Sequence, residues 1–183
     1  MQAIQPTSNY FWKILAKRGY AMWLKLQAKP NINRIRPFLW LGAAYSQSQF
    51  AALYEQGIRA VADLRAENTP PHFISAFPEI HFRRFPVSDR KAHSQQELLQ
   101  IVLWVLEQKK QHCPTLVHCQ HGIGRAPLAV ACVLLTEGLE PSEACLELKH
   151  LRWQVHMNKV QLRALQKFST TWMRFLNDNN PCF

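Results

Sequence analysis

Acidic residues are missing from the first 54 positions: Glu55 is the first, whereas Lys13, Lys17, Arg18, Lys25, Lys29, Arg34 and Arg36 all precede it. Most of the formal charge of +10 therefore sits in the leader, and the rest of the chain is nearly balanced. Such positive charge speeds encounters with anionic partners without identifying them. No apolar run approaches the ~20 residues that span a bilayer; the stretch from Pro127 to Leu135 is far too short. A secretory signal core is also lacking, because Lys13, Lys17 and Arg18 interrupt the apolar runs near the N-terminus. Five cysteines, an odd number without framework spacing, point to a reducing compartment, so a cytoplasmic location is expected. The histidines and carboxylates show no metal-ligand spacing, and neither an internal repeat nor a low-complexity run occurs.

What the chain does contain is an apolar fraction of 48% over 183 residues, enough for one globular domain with a proper core. Strand-like segments at Arg36–Leu41, Arg59–Leu64, His81–Val87 and Thr115–His118 alternate with helix-like ones. The latter are Gln47–Gln56, Gln95–Lys110, Arg125–Glu137, Ser142–Leu151 and Lys159–Phe175. This alternation predicts an α/β fold with a mostly parallel central sheet flanked by helices. Residues 1–30 read as a separate basic, amphipathic segment preceding a domain over 31–178. Within it Phe11, Leu15, Met22 and Leu26 form an apolar stripe opposite the lysines, so an N-terminal helical extension is expected. Three readings stay open for residues 10–29: attachment to an anionic membrane surface, a mitochondrial presequence, or a helix packed on its own domain.

The passage richest in chemistry is His118-Cys119-Gln120-His121-Gly122-Ile123-Gly124-Arg125. An apolar run precedes it and a helical run follows, giving strand, tight loop and helix. Inward-pointing loop N–H groups and the positive end of the helix make a concavity suited to a phosphate-sized anion. That field favours the thiolate of Cys119. Arg125 offers a planar fork for two phosphate oxygens.

His118-Cys119 through Arg125 matches the HCxxGxxR pattern, and the chain resembles protein tyrosine phosphatases of the dual-specificity class. Pro37-Phe38-Leu39-Trp40-Leu41-Gly42, Val61-Ala62-Asp63-Leu64-Arg65, Pro86-Val87-Ser88-Asp89 and Asn158 with Gln161-Leu162 extend the likeness over roughly residues 34–175. The resemblance implies that Cys119 attacks phosphorus to form a phosphocysteine. Gln120, His121, Gly122, Ile123, Gly124 and Arg125 would bind the substrate phosphate, and His118 would support the loop. It implies no metal and no cofactor. Asp89 is the expected general acid, with Asp63 the competitor. The family usually places Ser or Thr after the arginine; here Ala126 stands there, which predicts slower breakdown of the phospho-enzyme.

Gln120, His121 and Ile123 occupy positions where lipid-directed relatives carry lysines, which favours a phosphorylated protein as substrate. Alternatives are a lipid or RNA 5′-phosphatase of the same chemistry, or a phosphate-binding pseudophosphatase. Nucleic acid is the weaker partner, since aromatics near the basic leader also fit a helix–core contact. Cys113, six residues before Cys119, is a candidate partner for a protective disulfide.

Overall fold

The computed structural model describes residues 29–67, 69 and 71–179. The leader stripe and the expected extension over residues 1–28 lie outside them. Five strands form one sheet in the order β1-β2-β5-β3-β4, where β1 is Ile32–Arg36, β2 Leu39–Gly42, β3 Ala60–Arg65, β4 His81–Val87 and β5 Thr115–His118. β2, β5, β3 and β4 run parallel, whereas β1 pairs antiparallel with β2 at one edge. The mostly parallel sheet expected from the strand–helix alternation is therefore present.

The segment Arg36–Leu41, read as one strand, is instead the end of one strand, a turn and most of the next. Pro37 fixes φ and lacks an N–H, so it cannot extend the ladder, and the chain reverses at Pro37-Phe38. The remaining strands fall within a residue of expectation. Among the described residues five helices follow the predicted order: α1 Gln47–Glu55, α2 Gln95–Lys110, α3 Arg125–Leu135, α4 Pro141–Leu151 and α5 Lys159–Asn179. A short 3₁₀ turn, His72–Ala76, lies in the crossover between β3 and β4.

Neighbouring strand residues split between the two faces, as the two-residue period of a strand requires. Leu39, Leu41, Ala62, Leu64 and Val117 pack against α2, α3, α4 and α5. Leu116 and Val61 join Phe50 and Leu53 of α1 on the other face. All eleven residues of α3 are buried, so this helix crosses the domain interior. Its N-terminus thus stays fixed at the carboxyl end of β5, the central strand, where parallel sheets hold ligands.

Candidate active site

The loop from Cys119 to Gly124 joins β5 to α3. It is tied to the neighbouring strand end, since Cys119 N–H donates to Gly42 O at 3.4 Å and Ala44 N–H to Gln120 O at 3.1 Å. Gly122 has φ +66°, and a Cβ there would lie 2.7 Å from the Gly42 backbone and 2.9 Å from Arg152 Nη2. Only glycine fits, both for conformation and for space. In this turn Gly122 N–H donates to Cys119 Sγ at 3.3 Å. Gly124 caps α3 without a side-chain hydrogen bond, and the first turn of the helix holds no acid of its own.

Arg152 locks the outer side of the loop. It is 3% exposed, and its Nε and Nη2 donate to Gly122 O and His121 O, each at 3.0 Å. Its Nη1 donates to Asn31 Oδ1 and Asn33 Oδ1, each at 2.8 Å. With these carbonyls held outward, the peptide N–H groups are turned towards the cup. Arg152 was missed from sequence because a basic residue after a helix reads as a solvated cap, and no local pattern shows it turned inward.

Arg125 opens α3 and is 2% exposed. Nη1 and Nη2 each donate to a Glu67 oxygen at 2.7 Å, Nη1 also donates to Val87 O at 3.0 Å, and Nη2 stands 3.1 Å from Asp89 Oδ1. Its Nε is buried without a partner. The Arg125 guanidinium pulls the Glu67 carboxyl down to about 2. Glu67 was also missed: it lies 58 residues before Arg125 in sequence, and a glutamate after a strand reads as surface charge.

The two candidate acids stand in different surroundings. Asp63 is fully buried; burial pushes its carboxyl up, but hydrogen bonds from Arg65 outweigh this and hold it below the usual range. Asp89 is 65% exposed and faces the cleft. The peptide after it is latched to α5. Asn158 Nδ2 donates to Arg90 O at 2.7 Å and Gln161 Nε2 to Lys91 O at 3.1 Å. Asn158 and Gln161 also cap each other at 3.0 Å.

The cleft, about 420 Å³, is lined by Asp89, Cys119, His121, Ile123, Gly124 and Arg125, with Arg90, His156, Asn158 and Gln161 at its rim. Four of the six predicted phosphate-binding loop residues therefore face it. Gln120 instead lines an adjoining cavity of about 370 Å³ beyond Arg125, beside Glu67. Gly122 is buried and shapes the turn. His118 lies beneath the loop, fully enclosed, with its ring 4.8 Å from that of Tyr45. Burial pushes its imidazole down to about 4, against the opposing pull of the Asp63 carboxylate. Ala126 is buried in the first turn of α3. The proposed Cys113–Cys119 disulfide does not fit. The extended strand Thr115–His118 lies between the two and by itself spans about 10 Å, whereas a disulfide needs Cα atoms within about 7 Å.

A thiol, a guanidinium and a carboxyl thus converge on one cleft. Residues 29–174 match the family described as Swiss Army Knife protein, DSP-PTPase phosphatase domain. Human dual specificity protein phosphatase 6 is 31% identical over 153 residues, covering 81% of this chain and 38% of that protein. Dual specificity protein phosphatase 1-A of Xenopus laevis is 30% identical over 138 residues, covering 74% and 36%. The chain thus spans little more than a third of the length of these curated relatives. Among solved structures, PTPMT1 in complex with PI(5)P superposes with TM-score 0.72 at 21% identity, covering 79% of this chain and 98% of that one. Human DUSP28 gives 0.69 at 20% identity, covering 78% and 99%. These two likenesses establish the fold.

Proposed function

The chain belongs to the DSP-PTPase phosphatase-domain family, and from that membership we propose that it is a cysteine-dependent phosphomonoester hydrolase. Cys119 Sγ attacks phosphorus in line, the ester oxygen leaves with a proton from Asp89, and a phosphocysteine forms. Asp89, now a carboxylate, takes a proton from water as that water attacks phosphorus. Inorganic phosphate and the Cys119 thiolate result. The transition state is loose, so positioning and charge stabilisation carry the rate. The loop N–H groups and Arg125 bind the equatorial oxygens, and His118 supports the loop from below. The observation that carries this reading is that Cys119, whose Sγ accepts from Gly122 N–H, and Arg125, whose Nε is buried without a partner, line one cleft.

The favoured substrates are phosphotyrosine proteins, with phosphoserine and phosphothreonine as further ones, because the loop lacks the lysines that would meet a multiply charged headgroup. A lipid substrate is the second reading, favoured by the basic leader and by the fold shared with PTPMT1 in complex with PI(5)P. Residues 31–178 are read as the catalytic unit and residues 1–30 as a segment directing it to an anionic surface from the cytoplasm. Hydrolysis of a generic aryl phosphate by the purified chain, lost in Cys119→Ser, is the expected result. No hydrolysis, with phosphate still bound, would turn the reading to a pseudophosphatase, as Ala126 alone suggests. A panel of phosphopeptides against phosphoinositide vesicles separates the two substrate classes.

A further inference from the structure

Trp153 is 81% exposed and stands on the turn between α4 and α5. It adjoins Arg152, which grips the loop carbonyls, and lies three residues before His156 at the cleft rim. Ile123 in the cleft wall is 39% exposed, and Val160 on the first turn of α5 is 53% exposed. Arg90, Lys91 and Lys159, also at or beside the rim, are exposed. No acid occurs between Glu147 and Asp178, and Asp89, inside the cleft, is paired with Arg125. Exposed apolar side chains and positive charge thus occur together in the segments that flank the opening. Residue 31, which follows the acid-free leader in sequence, sits beside the loop, where Asn31 O and Oδ1 both accept from Arg152 Nη1.

We propose that this rim docks on an anionic lipid bilayer, with Trp153 seated at the headgroup level and the cleft opening onto the membrane surface. The inference rests on the proposed phosphomonoesterase chemistry for its purpose, though not for its measurement. Trp153 projects from a turn, so it suits a soft interface that yields around it. Indole rings favour the boundary where one side is apolar and the other wet. Lysines and arginines beside such a surface add attraction to anionic headgroups within a Debye length. A phosphate monoester carried at the bilayer would then meet Cys119 without diffusing through solution.

The test is sedimentation of the full chain, carrying Cys119→Ser to prevent turnover, with vesicles of phosphatidylcholine alone or mixed with phosphatidylserine. Pelleting is expected with the mixed vesicles only. Lys159→Gln should weaken it by about fivefold, and Trp153→Ser by at least as much. In the chain with Cys119 intact, Trp153→Ser should leave hydrolysis of a soluble aryl phosphate unchanged and lower that of a vesicle-borne phosphate monoester. Equal pelleting of Trp153→Ser and its parent would overturn the docking. Slower hydrolysis of phosphopeptides by Trp153→Ser, with pelleting intact, would also overturn it and assign the rim to a protein partner. A chain that pellets as expected yet hydrolyses nothing would refute the phosphatase chemistry and uphold the docking.

Discussion

Arg125 presents both terminal nitrogens to Glu67, each at 2.7 Å, while its Nε remains buried and unpartnered. A guanidinium tethered on its outer edge keeps its remaining edge aimed, at little cost in order when an anion arrives. Glu67→Gln keeps the size of this tether and removes its charge. The expected loss is between about 10- and 100-fold in kcat/KM, with the fold intact by circular dichroism. Because the Glu67 carboxyl is held down to about 2, the pair persists above the ordinary glutamate range and is lost only as pH falls through about 2. No break from Glu67 should appear in a pH–rate profile above pH 4.

Asp89→Asn is expected to slow turnover of phosphate esters with poor leaving groups by about 10²- to 10⁴-fold. Aryl phosphates with good leaving groups need little protonation and should be nearly spared. Steady-state rates across a leaving-group series measure this; equal losses along the series would count against Asp89. Asp63→Asn, by contrast, breaks a fully buried pair with Arg65 and should lower stability with no leaving-group dependence.

Gly122→Ala meets two obstacles at once, a φ of +66° and the Gly42 backbone 2.7 Å from the new Cβ. The conformational term alone is roughly 1–2 kcal/mol, and the neighbouring backbone cannot yield as a side chain could. Loss of measurable hydrolysis and a lowered thermal midpoint are expected. Gly138→Ala is the matched control, with φ +94° and nothing within 4 Å of the added atom; it should show the conformational cost alone.

Replacing Arg152 by Met leaves the buried carbonyl of Gly122 and the partly buried one of His121 without this donor. A stability loss of roughly 3 kcal/mol is expected. Loss of this nearby cation should also slow alkylation of Cys119 by iodoacetamide at neutral pH. Urea titrations and timed alkylation report the two effects separately; unchanged alkylation would show that Arg152 shapes the loop without influencing the thiol.

Burial lowers the His118 imidazole from its ordinary 6.5 to about 4. The folded state therefore prefers the neutral ring. Its stabilisation is fully present above pH 6.5 and is lost as pH falls towards 4, on the order of 3 kcal/mol across that window. His118→Gln should flatten the fall in urea midpoint between pH 6.5 and 4. An equally steep fall in the variant would assign the acid sensitivity to other groups.

Much of the architecture follows from local order. The two-residue alternation at Leu116 and Val117, the stop signals around the helices and the eight-residue run to Arg125 are neighbour relationships, readable along the chain. The same holds for the parallel sheet and for the loop at the carboxyl end of β5. Pro37 carried a turn signal, yet apolar residues on both sides disguised a hairpin as one strand. Glu67 and Arg152 belong to another kind of fact. Each meets the loop from 30 or more positions away in sequence, and a charged side chain looks the same in sequence whether water or a guanidinium surrounds it. The different surroundings of Asp63 and Asp89, one enclosed and one open to the cleft, are likewise a property of the packed chain. Chemistry carried by adjacent residues is written locally; the partners that hold it in place are set by how distant segments pack.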